Sequence, residues 1–542
     1  MKNQRLMMWC FVILMFWQIG LFGQRHEGKF PAVFNLDDIN GTNGYVIDGI
    51  TYFPFTKGQG DVNGDGVDDV LVGAPFSWVN DKLSSDAYII FGNKEKRPAS
   101  IDVKQLDDNK GVTIRNCGGT YVTILGDING DGISDILIGD SGINLPGPSC
   151  IIFGMKDWPI EVFPYNLNGN NGFIINGGYY TTASGVGDIN GDGFGDIIVG
   201  AYHPANDGKS YVVFGKQRWP KTINLLDLDG INGFVINGIN KGDEVGYAVS
   251  GAGDFNGDGI DDAIIGAPYG NNGTGQSYII FGNEEWSAIF NLKDLNGKNG
   301  FAINGINKGD GSGFSLSGVE DINNDGINDV IIGAPYANKG SDSHGTGQSY
   351  VIFGSNISWP ALFYLGDLNG DNGVTFNGVN QDDRCGFSVS GIGDFNADNI
   401  SDIIICAYGT SYYKGECYVV FGSKKWSPIE NLSNLNGING FIVNKTNNSG
   451  IGIVVNGIGD VNGDLVDDVL IGEFHTTLGK DPGPNYVLFG CCGEVPPPLP
   501  PDDHSLALGL GISGGVVGLV ALGVSGYYGY QWYYRSSYEA VE

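Results

Sequence analysis

The sequence predicts an all-β fold: a seven-bladed β-propeller followed by one C-terminal transmembrane helix. Three observations predict it. Glycine is extreme, at 91 of 542 residues, and glycine is costly inside helices but suits tight turns between short strands. One nine-residue pattern, D-x-N-x-D-x-x-x-D, occurs seven times, starting at Asp61, Asp127, Asp188, Asp254, Asp321, Asp394 and Asp460. Residues 505–534 carry no charged side chain and are long enough to cross a hydrocarbon core of about 30 Å.

The spacing between successive patterns is 66, 61, 66, 67, 73 and 66 residues, too regular for chance. Each copy sits in one frame. A run such as Gly246-Tyr247-Ala248-Val249-Ser250 enters the acidic loop, and Ala263-Ile264-Ile265-Gly266-Ala267-Pro268 leaves it. Tyr278-Ile279-Ile280-Phe281-Gly282 and Asn299-Gly300-Phe301-Ala302-Ile303-Asn304-Gly305 follow. Short apolar, β-branched runs bounded by Gly, Asn and Pro read as strands. Four strands per unit point to a propeller, which hides sheet edges by closing radially. A linear solenoid would need polar caps, and the sequence shows none. The chain opens on a fourth-strand motif (Asn43-Gly44-Tyr45-Val46-Ile47) and ends on a third-strand motif (Tyr486-Val487-Leu488-Phe489-Gly490), so the Tyr45 strand is expected to complete the last blade and latch the ring.

The acidic loops carry the chemistry. A hard cation such as calcium takes six to eight oxygen ligands, roughly. Side chains at positions 1, 3 and 5 of a tight turn, a carbonyl at 7 and a carboxylate at 9 supply such a set. Loop one offers Asp61, Asn63, Asp65, Val67 and Asp69; loop two Asp127, Asn129, Asp131, Ile133 and Asp135; loop three Asp188, Asn190, Asp192, Phe194 and Asp196. Loop four offers Asp254, Asn256, Asp258, Ile260 and Asp262; loop five Asp321, Asn323, Asp325, Ile327 and Asp329. Loop six offers Asp394, Asn396, Asp398, Ile400 and Asp402, and loop seven Asp460, Asn462, Asp464, Val466 and Asp468. No glutamate stands at position 12 and strands flank the loops, so this is not an EF-hand. Asx turns that merely satisfy their own backbone would explain one such loop, not seven. Up to seven Ca²⁺ ions are expected, one per blade. Loops six and seven depart from the pattern, with Asn399 and Leu465 where the others have glycine; leucine tolerates a left-handed backbone poorly.

The formal charge of −32 argues against nucleic acid, whose binding rests on basic phosphate contacts. Lys2 and Arg5 before the apolar run Leu6–Trp17, with Gly20 and Gly23 after it, read as a secretory signal over residues 1–23, the alternative being an uncleaved anchor. The propeller is assigned to 24–494, a proline-rich spacer to 495–504, the membrane helix to 505–534 and a cytoplasmic tail to 535–542. Arg535 beyond the apolar stretch favours a single-pass, type I cell-membrane protein with the propeller outside. A cleaved lipid anchor fits the aromatic-rich helix end and polar tail badly. Cys406 with Cys417, and Cys117 with Cys150, are candidate disulfides, and sequons stand at Asn40, Asn272, Asn356, Asn431, Asn444 and Asn447.

These residues resemble the FG-GAP repeat of integrin α-subunit propellers. The Gly-Ala-Pro element stands at Gly73-Ala74-Pro75, Gly266-Ala267-Pro268 and Gly333-Ala334-Pro335, and an aromatic-glycine element appears in reversed order as Gly246-Tyr247, Gly313-Phe314 and Gly386-Phe387. The resemblance implies ion loops on one face and ligand-contacting loops on the other. The contact candidates are Trp78, Tyr202, Tyr269, Tyr336, Tyr412 and Tyr413, with Tyr52, Phe53, Tyr179 and Tyr180. It implies cell adhesion through an extracellular protein or glycan ligand, and pairing with an integrin β-like subunit. Against that pairing, no leg-like domains follow the propeller and the tail lacks the Gly-Phe-Phe-x-Arg motif. The alternatives are a structural calcium-stabilised surface protein and an enzyme-associated propeller, since such repeats also accompany a zinc-dependent phospholipase. Its metal site needs clustered histidines, whereas His26, His203, His344, His475 and His504 are scattered, so no catalytic activity is expected.

Overall fold

The computed structural model describes residues 30–491, apart from 51–54, 80–81, 108, 140–148, 178–181, 203–206, 339–344, 410–414, 447–449 and 475–482. The described residues form seven sheets. Sheet four shows the common plan: Ala248–Gly253, Asp262–Ala267, Gln276–Ile280 and Gly300–Asn304 run antiparallel from the axis outward. Alternation is weak because both faces are covered by neighbouring sheets; Asp262–Ala267 is buried at every position.

Two features depart from the expected plan. Each sheet carries an outer strand lent by the next repeat and paired in parallel, as Leu362–Tyr364 is with Ala302–Asn304. A short 3-10 turn follows and tucks in an apolar residue such as Leu365 or Leu432. The aromatic residue before the lent strand packs on the second residue of the fourth strand. Trp219 stacks on Phe173 (ring centroids 4.2 Å apart), Trp286 on Phe234 (4.0 Å) and Trp359 on Phe301 (4.5 Å).

The expectation of a seven-bladed propeller is corrected to six complete blades. The remaining sheet, Val70–Val79, Lys82–Ile90, Gly111–Ile114 and the lent Glu161–Val162, has no inner strand among the described residues. The strand that precedes it in the chain, Phe55–Lys57, pairs in parallel with Tyr121–Thr123 of the adjacent sheet instead. Gly58 lies so close to the Ile124 carbonyl that a Cβ would come within 2.0 Å of it. Lys57 reaches across the axis to the Val249 and Leu316 carbonyls (2.8 and 3.3 Å). The transmembrane helix of the same expectation lies at 505–534, outside the described residues, as do the signal segment, spacer and tail. Among the described residues no helix is long and apolar enough to cross a membrane.

Closure uses the N-terminal segment twice. Gly44–Asp48 pairs antiparallel with Asn485–Leu488, Tyr45 opposite Val487, as the phase of the repeat suggests. Val33–Asn35 pairs in parallel with Ile442–Asn444 of the preceding sheet, and Phe30 stacks on Phe441 at 5.1 Å where several other sheets use tryptophan. In the last sheet Arg97 takes that place, over the Tyr45 ring at 5.0 Å. Disulfides join Cys117 to Cys150 and Cys406 to Cys417, the two pairs expected.

Candidate metal centres and the opposite aromatic face

Each acidic loop leads into the second strand of its sheet, six from that sheet's innermost strand and loop one from Phe55–Lys57, so all seven lie at one end of the axis. Their first- and fifth-position carboxylates are bonded alike from repeat to repeat. In loop one Asp61 accepts from the amides of Gly64 and Gly66 (2.6 and 2.7 Å), and Asp65 from the Val67 amide (3.0 Å). Asp69 accepts from Val62 and, beyond the third strand, from Gly92 (2.8 and 2.7 Å). The first aspartates of the other loops, Asp127, Asp188, Asp254, Asp321, Asp394 and Asp460, bond the amide of position 6 in the same way. Positions 7 donate to the fifth-position carboxylates Asp131, Asp192, Asp258, Asp325, Asp398 and Asp464.

The turn needs a left-handed backbone at position 6. Glycine takes it in five loops, as at Gly66 (φ 84°), and Asn399 (φ 62°) and Leu465 (φ 71°) take it in the last two. Leu465 therefore bears the strain that the sequence foretold, with its side chain 92% exposed.

The ninth aspartates, Asp69, Asp135, Asp196, Asp262, Asp329, Asp402 and Asp468, are wholly buried. Burial, and then the negative charge of their own loop partners, pushes Asp69, Asp135, Asp196 and Asp262 up to about 8. Asp329, Asp402 and Asp468 are raised well above the usual carboxylate range for the same reasons. A buried anion without a cationic partner is costly; a divalent cation beside it removes that cost.

The donor set fits a hard cation. It is all oxygen, and the third-position Asn323 and Asn396 each hold a buried side-chain oxygen that accepts no hydrogen bond. Asn63, Asn129 and Asn462 instead turn their amide nitrogens to the ninth aspartate, Asn190 bonds Asp192, and Asn256 donates its main-chain amide to Asp262. The carbonyl positions Val67, Ile133, Phe194, Ile260, Ile327, Ile400 and Val466 each follow the fifth-position aspartate by two residues. The carboxylates are occupied with amides rather than gathered about one point: among the described residues no three His, Cys, Asp or Glu side chains meet as a metal cluster. Residues filling position 8 were not singled out by sequence. Three of them, Asp68, Asp261 and Asp467, bond the preceding loop, and the Asp-Asp doublet at positions 8 and 9 was the available signal.

An inner strand of about six residues rises roughly 20 Å, which separates these loops from an aromatic row at its other end. Tyr202 contacts Tyr247 (4.9 Å), Tyr247 contacts Phe314 (5.1 Å), Phe314 contacts Phe387 (5.1 Å) and Phe387 contacts Tyr408 (4.9 Å). Tyr336 meets Phe314 edge-on (5.9 Å) and Tyr269 stands 53% exposed. Of the contact candidates, Tyr202, Tyr269 and Tyr336 are thus placed on this face, and Tyr408 joins them unforeseen. Tyr52, Phe53, Tyr179, Tyr180, Tyr412, Tyr413 and the Trp78 side chain lie outside the described residues.

Comparison with known proteins agrees with the resemblance. The FG-GAP repeat matches residues 58–78, 180–213, 245–280 and 312–352. Integrin alpha pat-2 of Caenorhabditis elegans is 33% identical over 229 residues, 40% of this chain and 18% of that protein. Integrin alpha-IIb of Mus musculus is 31% identical over 171 residues, 30% of this chain and 15% of that protein. Phosphatidylinositol-glycan-specific phospholipase D of Dictyostelium discoideum is 23% identical over 402 residues, 66% of this chain and 40% of that protein. The chain spans less than half the length of these relatives. Over these stretches the chain matches the FG-GAP repeat and is similar to integrin α-subunits.

Proposed function

We propose that this protein is an adhesion-type binding propeller, displayed outside the cell, that takes an extracellular protein or glycan ligand on its aromatic face and calcium in its acidic loops. The observation that carries the reading is the aromatic row, a contiguous set of rings with Tyr269 more than half exposed, on the end opposite the loops. Aromatic side chains at low entropic cost are the usual anchors of binding surfaces. The two disulfides suit an oxidising exterior. Calcium would be held by the seven aspartate-asparagine loops, where it would neutralise the buried ninth carboxylates and brace the hairpin; the site residues are those given for each loop above.

The test is affinity capture with the tagged protein, in calcium and in chelator. Extracellular glycoproteins that co-purify in calcium and are lost on chelation or on Tyr269→Ala support the reading; an integrin β-like chain among them adds a subunit partner. Capture that ignores both chelation and the tyrosine refutes it. An enzyme-associated propeller is the second reading, favoured only by the phospholipase D matches. Release of glycolipid-anchored protein by the purified chain would establish it.

A further inference from the structure

The acidic loops are bonded to one another as well as within themselves. An amide that follows the third strand of each sheet donates to the second-residue carbonyl of the preceding loop at all seven junctions, as Met155 does to Val62 and Cys491 to Phe395 (both 3.0 Å). At five junctions the amide of the eighth residue also donates to the first-residue carbonyl of the preceding loop. Asp68 does so to Asp460 (3.1 Å) and Asp261 to Asp188 (3.3 Å).

Three junctions add a side chain. The Asp68, Asp261 and Asp467 carboxylates accept the first-residue amides of Asp460, Asp188 and Asp394 (3.0, 2.8 and 2.8 Å). The eighth residue stands between the carbonyl and carboxylate ligands of its own loop, and its partner is the first ligand of the loop before.

We propose that Asp68, Asp261 and Asp467 are coupling residues, which hold no cation themselves but make loops seven and one, three and four, and six and seven fill cooperatively. The inference rests on the reading of the loops as calcium sites. A cation that fixes positions 7 and 9 of one loop fixes position 8 between them. That aspartate then pins the first ligand of its neighbour, whose cation arrives at a loop already ordered and loses less entropy in binding. Asp68 closes the circuit, because its partner lies 392 residues away in sequence. The other eighth residues, Ser134, Gly195, Asn328 and Ser401, offer no carboxylate, so coupling is uneven around the ring.

The experiment is a calcium titration of the full chain, followed by calorimetry and by hydrogen exchange at the loop amides. Asp68→Ala should weaken loop seven about tenfold, the usual worth of a hydrogen bond to a charged group, and leave loop one's own ligands in place. The exchange of Gly463, Asp464 and Leu465 reports loop seven. Asp261→Ala should do the same to loop three, and keeps the test alive if Asp68→Ala fails to fold. Asp68→Asn, which retains an acceptor oxygen but loses the charge, should restore only part of the coupling, and Ser134→Ala should change nothing. Wild-type loops that fill with calcium while both alanine variants leave the preceding loop unaltered overturn the inference alone. Wild-type loops that never respond to calcium overturn the calcium reading beneath it.

Discussion

Phe30 tests whether the ring is one cooperative unit. It lies in the segment that precedes the first repeat, is 7% exposed, and packs on Phe441, Phe421 and Phe395 with centroids 5.1, 5.1 and 5.9 Å away. Phe30→Ala removes the ring and leaves a cavity, which costs about 3–5 kcal/mol in a core that relaxes only in part. A whole domain is stable by only about 5–15 kcal/mol, so one substitution in a terminal segment removes a large share. The reason is topological: the same segment lends Val33–Asn35 to one sheet and Gly44–Asp48 to the next. Losing it opens two sheets at once and exposes edges that the closed ring hides.

The assay is thermal unfolding with site-resolved hydrogen exchange, beside Val33→Ala as a surface control, since Val33 is 47% exposed. Phe30→Ala should lower the single melting transition and speed exchange in every sheet, including Asp262–Ala267 on a sheet that Phe30 does not touch. Faster exchange confined to Gly440–Asn444, with the main transition unmoved, would refute closure as the source of stability.

Chelation should lower the melting temperature, because the ninth aspartates would again be buried without a cation; an unchanged melt would count against occupied loops. Leu465→Gly should stabilise the protein by about 1 kcal/mol in denaturant unfolding, the strain of a left-handed non-glycine residue less the entropy of glycine. Reducing Cys406–Cys417, which closes a loop 11 residues long, should cost about 2–3 kcal/mol by the same measurement. Burial pushes Lys57 down to about 8. Its unfolded value is about 10.4, so the unfolded chain binds the proton more strongly and stability rises as pH climbs through that window. Against wild type, Lys57→Met should remove a rise of up to about 3 kcal/mol between those pH values; identical pH profiles would show that Lys57 is not desolvated.

How much of this was legible in the sequence follows from what each element needs. The acidic loops were legible because aspartate, asparagine and glycine must fall at fixed positions for the turn to close. The strands beside them were legible because Ala263-Ile264-Ile265 and its counterparts are buried on both faces. The lent outer strands were not. Val33–Asn35 and Ser100–Asp102 are three residues long and largely exposed or half-buried, so neither periodicity nor composition marks them. The tryptophan or phenylalanine before a proline, as in Phe30-Pro31 and Trp359-Pro360, was the trace they left.

The missing inner strand marks a different limit. Phe55-Thr56-Lys57 forms a strand just before the first acidic loop, where an inner strand of the first sheet would stand. Its pairing is decided elsewhere, by the close approach of Gly58 to Ile124 and by carbonyls of two sheets across the axis that capture the Lys57 ammonium. Local sequence specifies that a segment is extended; which edge it joins depends on groups hundreds of residues away. The same holds for the loops, where each set of candidate ligands can be read within nine residues, yet the bonds from Asp68 to Asp460 that join them belong to the closed ring alone.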